Sequence, residues 1–167
     1  IPTYMTEYLG LASDMAYTAY SVISFSGLFA PFITLIIYEK AIHNGVKLSC
    51  IMYAVSAVSF LLLLILKAPV VNVLLFLAAK MASGCAVGAV WSIYLPGLAK
   101  SGLVSSANGV IDSAGYAAAT VANVIFSLAM SKVGWSGTIV MWAIIMAIAV
   151  NTIFLNLKFK KNRDKAF

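Results

Sequence analysis

Five stretches of this chain, at residues 14–38, 49–66, 70–96, 104–131 and 136–157, are apolar for close to the length that a membrane's hydrocarbon core demands, roughly 20 helical residues. Such segments have few ways to fold. Hydrocarbon offers no partner to a backbone N–H or C=O, so each stretch must satisfy its own as a helix. Composition agrees, with 63% of residues apolar, 10% charged and a mean hydropathy of +1.02, against roughly 25% charged in ordinary soluble domains. The expected fold class is all-α integral membrane, with about five complete spanning helices.

The connectors YEKAIHNGVK, KAP, GLAKSG and SKVGWSG carry the turn residues and most of the charge. Residues 1–10 read as the end of an earlier helix. The chain opens on Ile1 with no charged leader before a cleavage site, so no signal peptide is expected. If the spans alternate in direction, one side collects Lys40, Lys47, Lys100, Lys158, Lys160, Lys161, Arg163 and Lys165, and the other only Lys67 and Lys132. Cytoplasmic loops are the ones enriched in Lys and Arg. The expectation is therefore a multi-pass protein of the cell membrane whose residues 158–167 form a basic cytoplasmic tail. The formal charge of +6 reflects that tail, which holds five of the eleven basic residues, and no nucleic-acid partner is expected. Cys50 and Cys85 lie within apolar stretches without metal-ligand or redox spacing and read as small hydrophobes.

Helical periodicity then sorts the side chains by face. In the fourth stretch Asn108, Asp112, Tyr116, Thr120, Asn123 and Ser127 share an arc, opposite Ala, Gly, Val and Ile. In the third, Lys80, Gly84, Val87, Trp91 and Tyr94 share one, and in the first Tyr17, Tyr20, Ser21, Ser24 and Pro31 do. Polar groups are costly in hydrocarbon, so such stripes belong against protein or a water-filled path. Three striped helices can enclose a cavity. The stretches at 49–66 and 136–157 carry almost no stripe beyond Asn151 and are expected on the lipid side.

Lys80 and Asp112 are the charged residues that sit deep, at ~15 Å from the outer end and ~12 Å from the inner end of their helices, from 1.5 Å per residue. A lone charge at that depth costs at least ~2.5–3.5 kcal/mol. Lys80 is therefore a candidate for attracting a small organic anion, and Asp112 for proton coupling, paired with Lys80 while the site is empty. Trp91, Tyr94, Asn108, Tyr116, Tyr17, Tyr20 and Ser24 are the further candidates for substrate contact. Glu39 and Lys40 are candidates for an inner gate.

Several segments resemble a known family. IPTYMTEYLG is similar to the PTYxxE end of the seventh helix in the organophosphate:phosphate antiporters and related organic-anion carriers of the major facilitator superfamily. SGLFAPFITLIIYEK resembles their eighth helix with its loop motif, LAKSGLVSSANGVIDSAGYAAA their loop into the eleventh helix, and GWSG at 134–137 their next outer turn. The resemblance implies the C-terminal six-helix half of a twelve-helix secondary carrier, with residues 1–10 ending helix seven and residues 11–157 forming helices eight to twelve. It implies a substrate site at the midplane, lined by helices seven, eight, ten and eleven. The substrate it implies is a small organic anion such as a sugar phosphate or sugar acid, and the partner is the N-terminal six-helix half of the same chain. Asp112 stands where the antiporters carry a small residue, and their phosphate-binding arginines lie on helices one and seven, upstream of Ile1. Some relatives of such carriers are sugar-phosphate sensors that signal to a partner protein.

Enzyme chemistry finds no footing in the sequence. It holds one His, no cluster of metal-ligand spacing, no phosphate-cradling glycine loop and no nucleophile paired with a base, so neither metal nor cofactor is expected. The charge asymmetry yields a direct test of topology. With Cys50 and Cys85 replaced by Ala, a single cysteine at Ala166 should resist a membrane-impermeant thiol reagent in intact cells and react in inside-out vesicles; labelling in intact cells would reverse the orientation.

Overall fold

The computed structural model describes residues 1–66 and 68–163. Lys67, residues 164–167 and the side chains of residues 159–163 lie outside the described residues, and with them most of the basic tail. The helices are α1 (Pro2–Glu7), α2 (Ser13–Ser26), α3 (Ala30–Lys40), α4 (Gly45–Ile65), α5 (Pro69–Ala89), α6 (Leu95–Gly97) and α7 (Val104–Arg163). Among the described residues there is no strand. Four helical rods are long and apolar enough to cross a membrane: Ser13–Lys40, Gly45–Ile65, Pro69–Gly97 and Val104–Lys158.

Prolines explain the interruptions in two of these rods. Proline has no N–H and its ring clashes with the carbonyl four residues back. Ahead of Pro31 the chain tightens into a 3-10 turn at Gly27–Phe29, which joins α2 to α3. Ahead of Pro96 it widens instead into a π turn at Val90–Tyr94, which joins α5 to α6. Helix starts are equally legible. Asn44 caps α4 by accepting the Lys47 backbone N–H at 3.0 Å, and Pro69 opens α5 where a missing N–H does no harm.

The last rod is 55 residues long, ~80 Å at 1.5 Å per residue, more than twice the ~30 Å of hydrocarbon. It is in fact a hairpin. Gly134 has φ 65° and ψ −166°, a conformation that breaks the helix and that glycine alone adopts readily. Phe126 and Trp142, which a straight helix would hold ~24 Å apart, have ring centroids 6.0 Å apart. A Cβ on Gly137 would fall 2.4 Å from the Val133 side chain, so the second glycine of GWSG is also spatially required. The two arms, 104–133 and 135–163, correspond to the two last stretches expected from hydropathy.

Helix α5 is the hub of the packing. It lies against α4, α3 and α2, while α4 is held between α5 and α7. At the crossing with α3, Gly84 and Gly88 let the backbones approach: a Cβ on Gly84 would meet Ala30 Cβ at 2.9 Å, and one on Gly88 would meet Thr34 Oγ1 at 2.8 Å and Pro31 Cα at 3.4 Å. Small residues at i and i+4 serve this purpose where packing, not hydrophobicity, drives helix association. An aromatic column of Phe60, Phe76, Trp142 and Phe126 joins α4, α5 and both arms of α7, with centroid separations of 5.6–6.0 Å.

The structure revises one expectation. Stretch 49–66, expected to have no polar stripe, buries Ser49, Ser56 and Ser59 within α4, and two of these hydroxyls donate across the interface. The other face of α4 leaves Ile51, Val55, Val58 and Leu61 exposed. The close crossing is testable by thermal unfolding in detergent. Gly88→Leu should destabilise by about 1–3 kcal/mol through overpacking, whereas Gly27→Ala, whose added methyl meets nothing within 4 Å, should not lower the midpoint.

Candidate functional site

The polar residues divide into those used by the chain's own packing and those left over. The first group is built around carbonyls of α5. Thr34 on α3 donates to the Cys85 carbonyl at 3.0 Å as well as to Ala30 at 2.8 Å. From α4, Ser49 donates to Ala86 and Ser56 to Ala79, each at 3.1 Å. At the start of α5, Asn72 accepts from the Tyr4 hydroxyl at 3.1 Å and donates to the carbonyls of Leu66 and Ala68. Burial, with the neighbouring Tyr8 phenol adding to it, pushes the Tyr4 hydroxyl up to about 12, so it remains a donor at any ordinary pH. Trp135 Nε1 donates to Glu7 at 3.1 Å, and Tyr8 and Ser136 hydroxyls lie 3.3 Å apart, so α1 is tied to the α7 bend. Among the described residues no buried side-chain nitrogen or oxygen lacks a partner.

The candidate site residues belong largely to the second group. Lys80 is exposed on α5 although that helix supplies much of the core. Trp91 and Tyr94 fall within the π turn and are 36% and 55% exposed. That turn departs from the uniform winding of an α-helix on which the shared face with Lys80, Gly84 and Val87 was read. Tyr17, Tyr20 and Ser24 are exposed on α2, which packs beside α5. Glu39 and Lys40 are exposed at the end of α3.

On α7 Asn108 and Asp112 are half-buried, and Tyr116 is 76% exposed. Asp112 Oδ2 accepts from Asn108 Nδ2 at 3.2 Å, a bond between successive turns of one helix. The carboxylate's partner is thus a neutral amide rather than the Lys80 ammonium expected from depth alone. Every residue from 113 to 121 is exposed, so Tyr116 is not brought onto the α2–α5 face within this chain. Two stripe hydroxyls are also turned back on their own helices: Ser21 donates to the Tyr17 carbonyl and Thr120 to the Tyr116 carbonyl.

Periodicity missed Thr34, Ser49, Ser56 and Asn72. The signal was present in the seven-residue interval between Ser49 and Ser56, which returns a residue to the same helix face, and in Gly84-x-x-x-Gly88. Chemically, the leftover set offers an ammonium, two aromatic rings beyond it and a carboxylate–amide pair. That set can attract an anion and hold a proton. Among the described residues no group of three or more His, Cys, Asp and Glu could hold a metal ion. No protein-family description, curated protein or solved structure matches this chain.

The partner of Asp112 can be checked by a double-mutant cycle on thermal stability in detergent. Asp112→Asn and Asn108→Ala should couple by about 0.5 kcal/mol or more, whereas Asp112→Asn and Lys80→Met should add within ~0.5 kcal/mol. Strong coupling in the second pair would restore the ion pair.

Proposed function

We propose that this chain is the C-terminal half of a twelve-helix secondary carrier of the major facilitator kind, and that the whole protein moves a small organic anion across the cell membrane by alternating access. The observation that carries the reading is Lys80, a charge left exposed midway along the helix around which the rest packs. Holding an ammonium at such depth costs at least ~2.5–3.5 kcal/mol in lipid. A water-filled path or an anionic solute removes that cost.

Three further features support it. The segments at residues 2–7, 26–40, 98–119 and 134–137 resemble corresponding parts of organic-anion carriers. The two rods interrupted at Pro31 and Pro96 carry Tyr17, Tyr20, Lys80, Trp91 and Tyr94, and discontinuous helices are common at the substrate sites of secondary transporters. Finally, Tyr17, Tyr20, Lys80, Trp91, Tyr94 and Tyr116 stay exposed on α2, the α5 rod and the first arm of α7, which leaves them for a second six-helix half and the solute between.

In this reading the Lys80 ammonium draws the anion to the midplane, Trp91 and Tyr94 cover its less polar part, and Asp112 takes up or releases a proton as the cavity changes sides. Glu39 and Lys40 lie at the inner mouth. Uptake by the full-length protein in proteoliposomes tests it: Lys80→Gln should weaken apparent affinity about tenfold or more while Lys80→Arg retains part of it, as expected where charge rather than shape is needed. Asp112→Asn should flatten the pH dependence of uptake. Unchanged affinity in Lys80→Gln removes the anion site, and an unchanged pH profile in Asp112→Asn removes the coupling role.

A further inference from the structure

On the opposite side of the molecule, a groove of about 360 Å³ runs between α4 and the second arm of α7, within the range of small-molecule sites. It is lined by Ala54, Ala57 and Val58 from α4 and by Ala147, Val150 and Phe154 from α7. Asn151 supplies the polar group in this lining. The flanking surface is largely apolar, with Ile51, Val55, Leu61, Ile144, Ile148 and Leu155 exposed and Thr152 between the last two. Lining and flanks alike suit hydrocarbon.

Both ends of the groove are fixed by contacts. Cys50 lies beside Val150, its sulfur 3.9 Å from that carbonyl oxygen, and Phe60 lies beside Trp142 at a centroid distance of 5.6 Å. Numbers rise on one helix as they fall on the other, so the helices are antiparallel. Lys47 and Lys158 therefore project at the same end, and both are exposed. Lys47 is seven residues before Ala54, and Lys158 is four after Phe154 and seven after Asn151, intervals that return to the groove-facing side. By helical rise, Lys47 stands ~4.5 Å beyond Cys50 and Lys158 ~12 Å beyond Val150. Two cations thus cap one mouth of an apolar groove.

We propose that this groove holds an acyl chain of an anionic phospholipid whose phosphate lies between Lys47 and Lys158. The ammonium groups meet the phosphate at the membrane surface, as basic pockets between spanning helices do for anionic head groups. Asn151, two turns inward of Lys158, offers its amide N–H to an ester carbonyl. The three alanines leave the width that the chain fills. A second spanning helix is the less fitting occupant, because it would cover both lysines with apolar surface. The inference rests on the chain crossing a bilayer and not on the carrier reading, so either can fail alone.

Native mass spectrometry of the purified full chain, delipidated in neutral detergent and given equal amounts of phosphatidylglycerol and phosphatidylcholine with identical acyl chains, tests it. The phosphatidylglycerol adduct should exceed the phosphatidylcholine adduct about tenfold, given the attraction of each lysine near an anionic surface. In Lys47→Gln/Lys158→Gln the two adducts should become equal, and in Ala147→Trp both should fall at least about fivefold. The glutamine pair sits at exposed positions and keeps the test valid should the tryptophan disturb packing. Equal adducts in the unaltered chain, a preference that survives the glutamine pair, or a dimer mass in place of lipid would each overturn the proposal.

Discussion

Without water, a helix can be joined to its neighbour by polar contacts only through groups that its own ladder leaves available, and the second lone pair of a carbonyl is the chief of these. The packing around α5 depends on that resource. Cys85, Ala86 and Ala79 each supply an α5 carbonyl that accepts a bond from Thr34, Ser49 or Ser56. Such bonds contribute modestly, about 0.6 kcal/mol each on average. Their geometric effect is larger, because a hydroxyl reaches a carbonyl only when two backbones are close. Gly84 and Gly88 permit that closeness on the α3 side, and small serines permit it on the α4 side. The start of α5 is finished by the same means, with Asn72 occupying the Leu66 and Ala68 carbonyls where the chain turns into that helix.

This arrangement also explains where the rods can be irregular. A π turn frees backbone groups that must be satisfied otherwise, and such turns concentrate at functional positions. In α5 it occurs after the last of the shared carbonyls, between Val90 and Tyr94, so the packed part of the helix stays regular. The irregular part carries Trp91 and Tyr94 instead. The 3-10 turn at Gly27–Phe29 similarly separates the exposed tyrosine face of α2 from the Ala30–Thr34 crossing in α3. Each proline therefore divides a rod into a portion that packs and a portion whose side chains remain available.

Most of this fold was legible in the sequence, for a physical reason. Span length and apolarity are imposed residue by residue by the solvent, so 49–66 and 70–96 read from hydropathy lie within a few residues of Gly45–Ile65 and Pro69–Gly97. The reversal at GWSG was marked by glycines, and Gly134 does take the positive φ that only such a residue accepts easily. The candidate site was less legible. Depth along separate helices placed Lys80 and Asp112 in the same layer, but depth says nothing about azimuth between helices, and the carboxylate found Asn108 one turn away. Serines at 49 and 56 looked unremarkable because an amphipathic pattern in lipid is weak when the partner groups are carbonyls rather than side chains. Trp91 and Tyr94 fall within a π turn, which a uniform 100° periodicity cannot contain.

The exposed surface of the molecule is not uniform. Around Ala54 and Ala147 the exposed surface is Ile, Leu, Val and Phe, and hydrocarbon suits it at no cost beyond ordering. Elsewhere Lys80 and Tyr94 on the α5 rod, and Tyr116 and the half-buried Asn108–Asp112 pair on the first arm of α7, are presented on helices of the same apolar length. Lipid against these groups would leave an ammonium and a carboxylate with one neutral bond between them, at a cost of several kcal/mol by even the lenient insertion scale. The first arm of α7 sharpens the contrast, since residues 113 to 121 are exposed on every side while the second arm packs closely on α4. A helix in lipid lacks the hydrophobic drive that would pull it to its neighbours and gains stability from close packing and polar bonds. Its Ala and Gly surface at 114, 115 and 117–119 is shaped for such packing, and its polar stripe requires it. Protein packed against this arm would satisfy its small-residue face and its polar stripe together.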